Sequence, residues 1–116
     1  MATYDNLPVY KTSYDLLLLT VNIIPHFRKS YKYTLGSKLQ ETLIELISFI
    51  FKANCHQSKS EYLQKARENT EIVRLLFRLS NDLKLIDLKK FVEVNVLIES
   101  ISKQLVGWER SVSKKS

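Results

Sequence analysis

Leu35-Gly36-Ser37-Lys38-Leu39-Gln40-Glu41-Thr42-Leu43-Ile44-Glu45-Leu46-Ile47-Ser48-Phe49-Ile50-Phe51-Lys52-Ala53 is the stretch that decides the fold. Leu35, Leu39, Leu43, Leu46, Ile47, Ile50 and Ala53 recur at the 3.6-residue period of an α-helix, and Lys38, Glu41, Glu45 and Lys52 take the other face. Its start is expected between Ser30 and Ser37, where Ser37 with Gln40 reads as a capping box, and its end near Cys55. The same grammar holds on both sides. Upstream, Pro8 to Ile24 places Tyr10, Tyr14, Leu17, Val21 and Ile24 on one stripe, and Leu16, Leu18, Leu19 and Ile23 widen the apolar surface. Asn6 or Leu7 is its expected cap and Pro25 its expected stop, because a proline pushes the preceding residue out of the helical region. Downstream, Ser58 with Glu61 opens a third helix that runs to about Leu83, with Tyr62, Ala66, Val73, Leu76, Phe77 and Leu83 inward. Asp87 caps a fourth, expected to reach about Trp108, and residues 111–116 read as a frayed basic tail.

A sheet protein of this length would need a turn signal roughly every 8–12 residues. The chain has only two glycines, Gly36 and Gly107, and two prolines, Pro8 and Pro25. It therefore reads as all-α, a single domain over residues 1–116, and its matched segments with short links predict an up-down-up-down antiparallel four-helix bundle. Function is then expected on helix surfaces.

The formal charge of +6 favours an anionic partner, although a modest excess also serves solubility. One cysteine, Cys55, leaves no intramolecular disulfide and fits a reducing cytoplasm. Met1 to Asn6 holds no basic stretch followed by an apolar run, so no secretory signal is expected. Leu16 to Leu19 is the longest uninterrupted leucine run, far short of the ~20 residues of a membrane span, so no membrane partner is expected. His26 and His56 stand far apart and no Glu-x-x-His pair occurs, so neither a metal nor a cofactor is expected. Cys55 and His56 are adjacent, and neighbouring side chains on a helix point about 100° apart, which disfavours a nucleophile–base dyad. Nothing here reads as catalysis; the chain is not expected to be an enzyme.

Three surface features remain. On the third helix Arg67, Glu71, Arg74 and Arg78 share a face. They form either a solvated, ion-paired stripe or a phosphate-tracking strip about 16 Å long between its end arginines. Arg28, Lys29, Lys32 and Lys38 make a second basic cluster interleaved with Phe27 and with Tyr31 and Tyr33, tyrosines that either pack or stack on unpaired bases. On the fourth helix Leu88, Phe91, Ile98 and Leu105 read as the core line. Val94, Leu97, Ile101 and Trp108 form another line, read either as an oligomer interface or as part of a broad core closed by Trp108.

The ordered pieces Ile24-Pro25-His26-Phe27-Arg28-Lys29, Tyr33-Thr34-Leu35-Gly36, Ala66-Arg67, Arg74-Leu75-Leu76-Phe77-Arg78-Leu79 and Leu105-Val106-Gly107-Trp108 resemble the accessory variability determinant proteins of diversity-generating retroelements. The likeness extends from about residue 9 to residue 110. These proteins belong to a wider group of small four-helix proteins that includes those encoded in intervening sequences of bacterial 23S ribosomal RNA genes. The resemblance implies a non-catalytic accessory protein that assembles as a homopentameric basic barrel. It further implies binding to RNA or DNA and to the element's reverse transcriptase, in support of mutagenic retrohoming. Arg67, Arg74 and Arg78 then match the family's basic positions, and Gly107-Trp108 its C-terminal close. Five chains of +6 would gather +30 formally in one ring. The alternative is an intervening-sequence-type protein-interaction module without nucleic-acid contact.

Overall fold

The computed structural model describes residues 7–115, all in helices or their short links. The order is α1 (Pro8–Ile23), a 3₁₀ turn (Ile24–His26), the single turn α2 (Lys29–Lys32), α3 (Leu35–Cys55), α4 (Lys59–Asp82) and α5 (Leu88–Lys115). The four long helices form a body of 47 × 21 × 21 Å. Each packs against two others: α3 lies between α1 and α4, and α5 closes the square from α4 back to α1. Across α4 and α5 the ion pairs Arg67–Glu109 and Arg74–Glu99 come in reverse sequence order. The core is built from one stripe per helix, with Leu39, Leu43, Leu46, Ile50, Leu63, Phe77, Ile98, Ile101 and Leu105 fully buried.

Several boundaries differ from those expected. Leu7 is the N-cap of α1, while Asn6 lies outside the described residues. The inward stripe of α1 is Val9, Ser13, Leu16, Thr20 and Ile23, so Tyr14, Leu18 and Val21 face outward. Thr20 can occupy the core because its hydroxyl donates to the Leu16 carbonyl at 2.7 Å. α3 begins at Leu35, which puts Ser37 and Gln40 inside the helix rather than in a capping box. Ser58 holds the N-cap position of α4 but makes no side-chain cap. Asp87 caps as expected, its Oδ1 accepting the Lys90 N–H at 2.8 Å. α5 continues to Lys115, because Val112 extends the stripe that packs on the core beyond Trp108; the end of the expected tail, Ser116, is outside the described residues.

The end of α4 is a Schellman motif, with the Leu85 N–H on the Ser80 carbonyl (2.9 Å) and the Lys84 N–H on the Asn81 carbonyl (3.0 Å). The residue after the cap normally takes a left-handed conformation suited to glycine. Here it is Lys84, with φ 61°.

The two glycines make opposite demands. A Cβ on Gly36 would stand 2.8 Å from Cγ2 of Ile24, so glycine lets α3 approach the 3₁₀ turn, whereas a Cβ on Gly107 meets nothing within 4 Å. Gly107 sits in the interior of α5, where alanine is favoured over glycine by about 0.5–1 kcal/mol. Gly107→Ala is therefore expected to stabilise by that amount in urea unfolding. Gly36→Ala is expected to destabilise by about 1 kcal/mol, as overpacking outweighs the gain in helix propensity.

Candidate nucleic-acid interface

The α4 stripe is not a free row of cations. Arg67 pairs with Glu109 of α5, and Arg74 is held between Glu71, at 3.1 Å, and Glu99 of α5. Desolvation alone would lower the Arg74 pKa, but its hydrogen bonds to the Glu99 and Glu71 carboxylates outweigh it and raise it above the usual arginine value. Arg78 is exposed and makes no ion pair or hydrogen bond among the described residues. Two of the three arginines are thus neutralised along the α4–α5 seam, and the third stands at its end.

Unpaired positive charge collects at one end of the bundle, where the α1–α3 and α4–α5 links meet. Nη2 of Arg28 donates to the Leu83 carbonyl at 3.1 Å and ties the two links together. The Arg28 guanidinium also lies 5.3 Å from the Tyr31 ring centroid. Lys29 is exposed, and Lys32 lines a shallow cleft with Pro25, Tyr33 and Gln40. Of the interleaved aromatics, Phe27 is core and Tyr31 packs against the core, while Tyr33 stands 71% exposed. Lys84, Lys89 and Lys90 join this end from the other link and are all exposed. Residues 26–38 and 78–90 together carry eight Lys and Arg against two Asp, a net of +6, and the rest of the chain balances at ten against ten. The opposite end, residues 52–67 and 103–115, carries the same eight against two, but Lys65 and Arg67 there are ion-paired, whereas no cation of residues 26–38 and 78–90 makes an ion pair among the described residues. The sequence reading found Arg28, Lys29 and Lys32 but missed Lys84, Lys89 and Lys90, whose signal was their shared place beside a helix link.

The second expected face needs correction. Val94 and Ile101 are 0% exposed and fill the protomer's own core, and Leu97 and Trp108 are half-buried against it. Phe91, Val94, Ile98, Ile101, Leu105, Trp108 and Val112 alternate spacings of three and four. They are the two halves of one seam rather than two faces. Leu88, assigned to the core line, is instead 73% exposed, and Val92 and Val96 stand exposed beside it. Outward apolar residues also mark α1 (Tyr14, Leu18, Val21) and α4 (Ile72, Leu75, Leu79).

Cys55 is exposed, and the His56 ring lies 5.3 Å from that of Tyr62. Among the described residues no group of three or more His, Cys, Asp or Glu could hold a metal ion, and no helix is long and apolar enough to cross a membrane.

Comparison with curated proteins gives no match. A family model described as bAvd-like matches residues 9–112, which takes in all four long helices and both links of the basic end. On that match the chain belongs to the bAvd-like family, that of the accessory variability determinants.

Proposed function

We propose that this protein is an accessory variability determinant of a diversity-generating retroelement: a non-catalytic, up-down-up-down bundle that assembles with copies of itself and binds nucleic acid and the element's reverse transcriptase to support mutagenic retrohoming. The family match supports the element, and the reversed order of the α4–α5 ion pairs supports the topology. The observation that carries nucleic-acid binding is the net +6 of residues 26–38 and 78–90 at one end of the bundle, where no cation is ion-paired among the described residues. Such a patch attracts a polyanion without reading its sequence. Lys84 adds to this, since a left-handed lysine costs about 1–2 kcal/mol where glycine would be strain-free. A second reading is an intervening-sequence-type module with no nucleic-acid contact, and the neutralised Arg67 and Arg74 favour it.

Self-assembly, most simply into a pentameric ring, would cover the outward apolar residues of α1, α4 and α5. Light scattering should then give a particle several times the 13.6 kDa of one chain. Val92→Lys with Val96→Lys is expected to dissociate it with helical circular dichroism unchanged, and a parent that runs as a monomer at micromolar concentration sinks this part.

Binding of a labelled oligonucleotide should weaken steeply with salt. Each phosphate contact removed should change the slope of log affinity against log salt by about one. Lys84→Gly is expected to flatten that slope while raising stability by about 1 kcal/mol, because it relieves the left-handed strain. Arg74→Ala should leave the slope alone, since its charge is already matched by Glu71 and Glu99. No binding at low salt would leave the interaction-module reading standing.

Co-expressed reverse transcriptase should co-purify with this chain and be released by salt, as expected for a contact made through charges. A complex that survives molar salt intact contradicts a charged interface.

A further inference from the structure

Within the basic end lies a cleft of about 480 Å³ between the last turns of α1 and the α4–α5 link. Its floor is apolar, made by Ile23, Leu85 and Ile86, three side chains that are themselves buried. Its rim is polar. Asn22 and His26 stand exposed on one side and Lys90 on the other, and neither Asn22 nor His26 makes a hydrogen bond or ring contact among the described residues. Asp87 also lines the cleft, with Oδ1 engaged by the Lys90 N–H, which leaves its second oxygen as an acceptor.

An apolar floor, an amide, a carboxylate oxygen and an imidazole do not suit a bare phosphate. They suit a flat, partly apolar ring with hydrogen-bonding edges: Asn pairs with base edges, and imidazole is among the rings on which unpaired bases stack. A base inside a duplex shows neither its face nor its pairing edge. Lys90 lines the cleft, and the exposed Lys84 and Lys89, each next in sequence to a lining residue, supply the charge complement for the backbone on either side of such a base.

We propose that this cleft seats one unpaired base of a nucleic-acid strand whose phosphates run over the surrounding lysines, so that the basic end prefers single strands to duplexes. The inference rests on the nucleic-acid reading above and adds the class of strand and the seat of the base. It makes Asn22, which carries no charge, a determinant of strand preference.

The test is fluorescence polarisation of the full chain with a labelled 12-nucleotide RNA, the same sequence as DNA, and the duplex of each with its complement. Both strands should bind about fivefold or more tightly than the duplexes, the effect of one seated base. Asn22→Leu, on the exposed rim, is expected to cut strand affinity to within about twofold of duplex affinity, with duplex binding and helicity unmoved. Ile86→Phe, which fills the floor, should do the same. A parent that binds strand and duplex equally, or an Asn22→Leu protein that keeps the preference, overturns the cleft while leaving the basic end intact. No binding to any of the four probes would overturn both readings.

Discussion

Each long helix has a single seam to give to the core, and the rest of the molecule follows from that constraint. In a square of four helices only the residues within roughly a third of each circumference can turn inward. α5 shows it most clearly: Val94, Ile98, Ile101 and Leu105 are fully buried, and Leu88, Val92 and Val96, equally apolar, are left outside. α1 makes the same selection by another means. Its seam includes Ser13 and Thr20, and by spending inward positions on small hydroxyl residues it leaves Tyr14, Leu18 and Val21 on the surface. The bundle therefore carries exposed apolar side chains on all four long helices, Ile44 and Phe51 of α3 included.

That selection separates what the sequence made legible from what it hid. Helical periodicity exposed the four long segments and most of the core of α3, where Leu39, Leu43, Leu46 and Ile50 are buried at helical spacing, although Ile44 and Phe51 stand exposed on its outer side. Where a helix is apolar nearly all round, period alone cannot choose the face. In α1 the choice fell on Ser13 and Thr20, whose burial depends on the partner's shape and, for Thr20, on the back-bond to Leu16. On α5 two lines seven residues apart, offset by three, read as two faces although they interlock as one. The caps divided in the same way: the Asp87 cap was legible because one carboxylate reaches one N–H, whereas the Schellman end of α4 was masked by a lysine where glycine is the signal.

The charged residues follow a geography that linear spacing does not reveal. A face shared by Arg67, Arg74 and Arg78 is visible on α4, but the carboxylates that answer the first two, Glu109 and Glu99, come from a helix that only the fold brings alongside. Pairing of this sort is available along a seam where two helices run side by side. It lapses at the α1–α3 and α4–α5 links, where none of Arg28, Lys29, Lys84, Lys89 and Lys90 makes an ion pair among the described residues and Asp87 is engaged as a cap.

Shape converts that asymmetry into a directional surface. In the ring proposed above, a body 47 Å long and 21 Å wide packed sideways through its outward apolar residues would set its long axis along the axis of the ring. Every protomer would then present the same end to the same rim, and the +6 of residues 26–38 and 78–90 would be summed around it. The strained Lys84 would sit on that rim, at a position where the helix end would be more stable with no side chain at all. On that proposal, lateral apolar packing and axial charge are separate demands on one sequence: the first would be met by what the helix seams leave out, the second by what the links leave unpaired.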